Sequence, residues 1–343
     1  MKPSFRIRGA IAAMTAAALA LGASAAIAST QLIGAGSSFD FPFFQKAFYE
    51  YSQDHSNVTV NYQSIGSGGG INQFIAKTVD FGATDVPMNA AEVKRAGGTV
   101  LQIPITLGGA AMGYNIPGIP QGLKLTRALI ADIYLGKVTK WNDPAIAKLN
   151  PEMKLPGMAI TVVHRSDGSG TSYIFSDFLS HVSPEWKAKV GTGKSLQWPV
   201  GIGGKGNEGV AGAVSQTPGA IGYIELAYVL ENQMTYAKVQ NQAGDYVFPS
   251  IETVAAAAAE KPKVNAEDFS IVDQAGAESY PISGYSWVVL YQHPKDPARA
   301  KEVKRVMKWL VTKGQALAKS VDYVPLPPNV QHEALKVISE MKV

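Results

Sequence analysis

Val58-Thr-Val-Asn-Tyr62-Gln-Ser-Ile-Gly66-Ser-Gly-Gly-Gly70-Ile-Asn-Gln-Phe74-Ile75 changes its period halfway along. Val58, Val60 and Tyr62 alternate with polar residues, the pattern of a half-buried strand, whereas Ile71, Phe74 and Ile75 follow at helical spacing. A run of glycine and serine separates them, so the stretch reads as strand, small-residue loop, helix. A helix N-terminus carries unpaired N–H groups and the positive end of the helix dipole. Glycine lets the backbone come close to an anion there, and serine adds a hydroxyl donor. Taken alone, such a loop is equally a flexible turn.

The arrangement recurs twice. Gly34-Ala35-Gly36-Ser37-Ser38 leads through Pro42, a first-turn proline, to Phe44, Ala47, Phe48 and Tyr51 at helical spacing. Ile160-Thr-Val-Val163 is a β-branched run that feeds Arg165 and then Gly168-Ser169-Gly170-Thr171-Ser172; Tyr173, Phe175, Phe178 and Leu179 continue as a helix. Asp80-Phe81-Gly82-Ala83 reads as a short strand with Thr84 and Asp85 at its end. Further strands are expected at 111–116, 220–224 and 285–291, and further helices at 252–260 and 297–311. Strands alternating with helices predict an α/β fold with largely parallel sheets, in which ligands sit beyond the carboxyl ends of strands. Junctions between two lobes are expected as short crossovers near 103–106 and 274–281.

Lys2, Arg6 and Arg8 precede an apolar run from Ala10 to Leu21, and Ala26-Ile27-Ala28 supplies small residues at the spacing of a cleavage site. This is the pattern of a cleavable export signal over 1–28; the apolar run falls short of the roughly 20 residues that span a bilayer. The formal net charge is +4, three units of which belong to that segment. The remaining chain is close to neutral and makes no case for binding nucleic acid or a membrane surface. There is no cysteine, which excludes disulfides, thiol chemistry and a lipidated cysteine after the signal. A mature chain of about 315 residues must then hold together by its apolar core, in two domains or lobes. The Gram-negative periplasm is the compartment that fits.

Three loops of this kind with charges of both signs nearby point to one oxyanion held from several sides. Arg165 is the natural countercharge, because its planar guanidinium donates two parallel hydrogen bonds. Asp167, two positions on, is placed to orient it. Asp85 is the odd member, since a carboxylate beside an anion repels it unless the ligand brings a proton. Phosphate near neutral pH keeps a proton and sulfate keeps none, so Asp85 favours phosphate. The plain alternatives are, for Arg165, a surface arginine or one paired only with Asp167, and, for Asp85, an aspartate serving the turn before Pro87.

Several segments together resemble the periplasmic phosphate-binding component of Pst-type ABC transporters. They are Gly34-Ala-Gly-Ser-Ser-Phe39, Tyr62 to Gly70, Val79-Asp-Phe-Gly-Ala-Thr-Asp-Val-Pro87, Asp132-Ile-Tyr-Leu-Gly-Lys137 and Lys140-Trp-Asn-Asp143. Arg165-Ser-Asp-Gly-Ser-Gly-Thr171, Gly203-Gly-Lys-Gly-Asn207 and Pro218-Gly-Ala-Ile-Gly-Tyr223 complete the set. The similarity spans nearly the whole mature chain. It implies a two-lobed type II periplasmic binding protein fold with phosphate in the interlobe cleft; the lobes are expected at 29–104 with 276–343, and at 105–275. It implies phosphate contacts from Ser37, Ser38, Phe39 (through its N–H), Ser67, Asp85, Arg165, Ser169, Gly170 and Thr171, with Asp167 behind Arg165. Ser38 stands where that family usually has threonine, which leaves the hydroxyl in place. Ser166 stands where alanine is usual, and Gly69 departs from the usual loop pattern. The expected partners are inorganic phosphate and the membrane permease subunits. The protein is expected to be a monomer, with no cofactor, metal or catalytic residue.

Rival readings fare less well. Gly201-Ile-Gly-Gly-Lys-Gly206 matches the dinucleotide pattern G-x-G-x-x-G, with Glu225 downstream as the acidic residue. The motif is short, and Pro199 sits where its strand should run. None of the three loops contains the G-K-[ST] of a P-loop. A phosphomonoesterase using Ser38 or Ser67 would need a base or a metal. His55, His164, His181, His293 and His332 are scattered, and His164 should face away from Arg165 across the strand. Lys301, Lys304, Arg305 and Lys308 could suggest a scaffold for an anionic partner, but they read better as the solvated face of a helix whose Val303, Met307 and Leu310 pack inward.

Overall fold

Each of the three loops ends a strand and opens a helix. The computed structural model describes residues 30–343, and the export signal read at 1–28 lies outside them. Strand β1 (Thr30–Gly36) leads to the helix Phe41–Asp54, and β2 (Val58–Ser64) to the helix Ser67–Ile75. The next strands are β3 (Phe81–Thr84), β4 (Val100–Asn115) and the two-residue β5 (Lys124–Leu125). β6 (Thr161–Arg165) then leads to the helix Gly170–Val182. β7 (Ile202–Gly204) leads to the helix Gly206–Gln216, and β8 (Ala220–Glu225) to the helix Leu226–Glu231. β9 (Thr235–Tyr236), β10 (Lys238–Gln240) and β11 (Tyr246–Val247) are short, and β12 (Ser283–Tyr291) is the last strand.

The large sheet runs β2-β1-β3-β12-β4-β8-β6-β7, with β9 also on β4; β11, β10 and β5 form a small separate sheet. Pairing is parallel where β1 meets β2 and β3 and where β6 meets β7 and β8. It is antiparallel between β12 and both β3 and β4, and between β4 and β8. The expectation of largely parallel sheets is therefore corrected to a mixed sheet. Alternating periodicity reports where strands and helices lie but carries no information on strand direction. The strand expected at 111–116 is the last part of the longer β4, which also contains 103–106. β4 pairs with β12 as far as Gly109 and with β8 from Ala110 onward, so a single strand serves both halves of the sheet.

Pro104 sits inside β4 and has no N–H to give to the ladder. The register between β4 and β12 shifts between Ser286 and Trp287, opposite Pro104 and Thr106. Such a bulge accommodates the proline and re-aims the neighbouring side chains.

Aromatic packing anchors both halves. In the first, Phe44 meets Tyr62 with ring centroids 4.7 Å apart and stacks on Phe48 at 4.8 Å. In the second, Phe175 stacks on Tyr223 at 4.4 Å, and Tyr134 and Trp198 pack around them. Val303, Met307 and Leu310 of the helix Pro297–Leu310 are buried, as its spacing predicts. Among the described residues, no helix is long and apolar enough to cross a membrane.

Candidate functional site

The first loop is held by its carbonyls. Tyr62 on β2 donates its hydroxyl to Ser37 O at 2.7 Å, and Tyr228 on the helix Leu226–Glu231 donates to Ser38 O at 2.7 Å. Tyr323 donates to Phe39 O. Three phenols from three parts of the chain thus tie three successive carbonyls outside the site, which leaves the loop's hydroxyls to face inward.

Three hydroxyls of the cluster, one from each loop, share one property. Ser38 Oγ accepts from Asn207 N at 3.1 Å and from Asn207 Nδ2 at 3.0 Å. Thr171 Oγ1 accepts from Asn207 Nδ2 at 3.1 Å and Arg165 Nη1 at 3.3 Å. Ser67 Oγ accepts from Gly170 N at 3.1 Å and Asp85 N at 3.2 Å. A hydroxyl has two acceptor lone pairs and one proton. With the lone pairs occupied by N–H donors, each of these three can act toward a ligand only as a donor. Asn207 is itself set by Glu225 N, which donates to its Oδ1 at 2.9 Å, so its amide orientation follows from the network.

Arg165 lies at the end of β6 and is 3% exposed. Its backbone N–H donates to Tyr223 OH at 2.9 Å, which also meets Ser172 Oγ at 2.6 Å, so the aromatic core sets both the strand end and the helix start. The guanidinium forks onto Asp167 through Nε (2.7 Å) and Nη2 (2.6 Å). Burial would raise the Asp167 carboxyl, but the hydrogen bonds and charge of Arg165, with the Gly206 N–H, hold it below its ordinary value. The fork occupies one edge of the guanidinium and presents the other to the cluster.

Asp85, beyond the end of β3, is 2% exposed. Its Oδ1 accepts from Ser37 Oγ and from Ser286 Oγ at 3.0 Å. Its Oδ2 has only the long 3.4 Å approach of Ser67 Oγ, so Oδ2 is the acceptor left for a ligand. Burial pushes this carboxyl up to about 6, against the pull of Ser37, Ser286 and the Arg165 charge.

The two halves meet here. Gly68 N donates to Gly168 O at 2.8 Å, and Lys194 pairs with Glu92 at 2.5 Å. Gly66 has φ +79°, and a Cβ there would come within 2.1 Å of Asp167 Oδ2, so this position requires glycine.

A family model described as a PBP superfamily domain matches residues 22–313. The phosphate-binding protein PstS of Xylella fastidiosa (strain Temecula1) is 48% identical over 305 residues, covering 88% of this chain and 83% of that protein. The phosphate-binding protein PstS of Pasteurella multocida is 47% identical over 302 residues, 87% of each chain. The chain belongs to the PstS family of phosphate-binding proteins. Its fold is similar to that of PfluDING, a high-affinity periplasmic phosphate-binding protein solved with phosphate bound. The TM-score is 0.68 at 19% identity, over 89% of this chain and 92% of that one. The architecture is the two-lobed type II binding-protein fold.

In this PstS-family chain the expected residues converge on one buried cluster. Ser37, Ser38, Ser67, Asp85, Arg165, Ser169 and Thr171 are buried together with Phe39 and Gly170. Two of them are engaged locally: Phe39 N–H donates to Ser37 Oγ at 2.9 Å, and Ser169 Oγ caps its helix by accepting from Ser172 N at 3.0 Å. Sequence reasoning missed Asn207, Ser286, Asp40 and the three tyrosines. Asn207 had a legible signal. The G-x-G-x-x-G run is a fourth strand-to-helix turn, with β7 inside the motif and the helix opening at Gly206. His164 stacks on Trp198 at 5.0 Å, away from the cluster. Among the described residues, no group of His, Cys, Asp or Glu could hold a metal ion.

Proposed function

We propose that the protein is a periplasmic receptor that binds inorganic phosphate in this cluster and delivers it to the membrane permease of an ABC transporter. It acts as a monomeric carrier and performs no chemistry. The observation that carries the reading is the pattern of hydrogen-bond polarity. Ser38, Ser67 and Thr171 are left as donors, Arg165 offers a guanidinium edge, and Asp85 Oδ2 is one acceptor among them. A ligand complementary to this set is an oxyanion that still carries a proton. The names of the PstS relatives and the phosphate bound in PfluDING support the same ligand. The contacts assigned are Ser37, Ser38, Phe39, Ser67, Asp85, Arg165, Ser169, Gly170 and Thr171, with Asn207 and Asp167 holding them in place. The moving bodies are 29–104 with 276–343 and 105–275, which close about the anion as hinged lobes and present the permease with the closed form. Titration calorimetry with phosphate and with sulfate tests the reading, and equal affinity for both would overturn it.

Discrimination should depend on pH. Because its value is raised to about 6, the Asp85 carboxyl holds a proton below that pH and loses it above. Protonated, it can donate to sulfate; ionised, it repels sulfate. Sulfate affinity is therefore expected to rise by up to about tenfold as the pH falls from 7 to 5, following the protonated fraction. Phosphate should change far less, because it and Asp85 share the same proton whichever of them carries it. Calorimetry at the two pH values decides.

Closure itself is sterically tight. A Cβ at Gly170 would lie 2.4 Å from Asp85 Oδ2 and 2.6 Å from Ser67 Oγ, atoms of the opposite half. Gly170→Ala is expected to weaken phosphate binding by about 1–3 kcal/mol through overpacking. Unaltered affinity by calorimetry would mean that the halves close with room to spare.

A further inference from the structure

A second buried carboxyl stands directly behind Asp85. Asp40 is fully buried at the N-cap position of the helix Phe41–Asp54, yet its side chain makes no capping bond. Its Oδ2 lies 2.6 Å from Ser286 Oγ, and Ser286 Oγ lies 3.0 Å from Asp85 Oδ1. Ser286 lies at the register shift of β12 opposite Thr106 and Pro104.

Proton counting restricts this chain of three groups. A hydroxyl has one proton, so Ser286 cannot donate to both carboxylates, and its 3.5 Å approach to Thr84 O is at the limit of a hydrogen bond. If both acids were ionised, one of the two contacts would set bare oxygens against each other. Nor does Tyr62 relieve Asp40. Its hydroxyl is 3.3 Å from Asp40 Oδ1, but its only proton is used on Ser37 O at 2.7 Å, an atom that can only accept. An ionised Asp40 would thus depend on the one proton that Asp85 also needs. Asp85 is the better-served anion, with Ser37 as a further donor and the Arg165 charge nearby.

We propose that Asp40 is a positioning residue that carries a proton, donates it to Ser286 Oγ and so commits Ser286 to donate to Asp85 Oδ1. Asp85 is thereby held as a carboxylate whose Oδ1 is saturated and whose Oδ2 alone receives the proton of the ligand. The neutral acid also spares an incoming phosphate a second negative charge. Facing Asp40 are Asp85 from the end of β3 and Tyr62 from β2, with Tyr228 and Tyr323 further out. Burial, and then the Asp85 charge, push the Asp40 carboxyl well above its ordinary value; Ser286 and the backbone of Asp40 itself pull the other way. The functional consequence rests on the phosphate-receptor reading above, whereas the protonation state does not.

Two measurements on the full chain test this. Infrared spectra at about pH 7, parent minus Asp40→Asn, are expected to contain a protonated-carboxyl C=O stretch, with or without phosphate. Loss of ionised-carboxylate bands instead would overturn the proposal even if no phosphate bound, which separates its failure from failure of the receptor reading. Asp40→Asn keeps the shape and a donor toward Ser286, so phosphate affinity near pH 7 should stay within about twofold of the parent. Raising the pH above neutrality until Asp40 ionises should lower the affinity of the parent and leave that of Asp40→Asn unchanged. A variant that binds about tenfold more tightly near pH 7 would mean that Asp40 is ionised in the parent, and would sink the assignment.

Discussion

Arg165→Ala is expected to weaken phosphate binding by two to four orders of magnitude, from about 3–5 kcal/mol for truncating one member of a buried, hydrogen-bonded charge pair. Three losses coincide. The anion loses the guanidinium edge left open by the Asp167 fork. Thr171 Oγ1 loses the 3.3 Å donor on one of its lone pairs, so its proton is no longer committed to the ligand. Asp167 keeps the Gly206 N–H at 3.1 Å but loses its cation, and then stands as an uncompensated negative charge behind the site. Asp167→Asn in the same background removes that charge and should restore part of the loss. Calorimetry giving parental affinity for Arg165→Ala would take Arg165 out of the binding site.

Asp85→Asn is expected to leave a receptor that no longer tells phosphate from sulfate. In the parent, sulfate would set a bare oxygen against Asp85 Oδ2, and like charges juxtaposed in a closed cleft cost several kcal/mol, roughly a thousandfold in affinity. The amide of asparagine can turn a donor toward that position. It also stays compatible with Ser37 and Ser286, whose hydroxyls can donate to its carbonyl oxygen. Sulfate should therefore gain most of that factor, whereas phosphate loses one acceptor and changes less. Competition binding in which sulfate stays excluded would show that selectivity comes from elsewhere in the cluster.

Those two residues and the loops around them were legible because each is local. Arg165 stands at a strand end before a small-residue turn and Asp85 just past a strand end before Pro87, and periodicity locates both strand ends. Asn207 was legible by the same rule and was obscured by a motif with another meaning. Asp40 and Ser286 were not, since 246 residues separate them and only the sheet order places β12 beside β3. The same limit explains the mixed sheet. Val288 pairs antiparallel to Ala83 and Ile103, yet it is as apolar as any residue of a parallel strand. The tyrosines at 62, 228 and 323 read as core residues, which they are. Their phenolic ends matter only once three distant segments meet at the first loop.

The position of β12 also bears on how the chain assembles as it is made. The half containing β1, β2 and β3 has an interior strand supplied by Ser283–Tyr291, between β3 and β4. Until that segment is available, β3 and β4 expose the edges that β12 will cover, and closing the sheet joins segments some two hundred residues apart. Pairing over such separations is slow and leaves unpaired edges open to aggregation. The half built from β6, β7 and β8 is complete in sequence before β12 is reached, so it can fold first and serve as a platform for the rest. The half that begins the chain is the last to be finished.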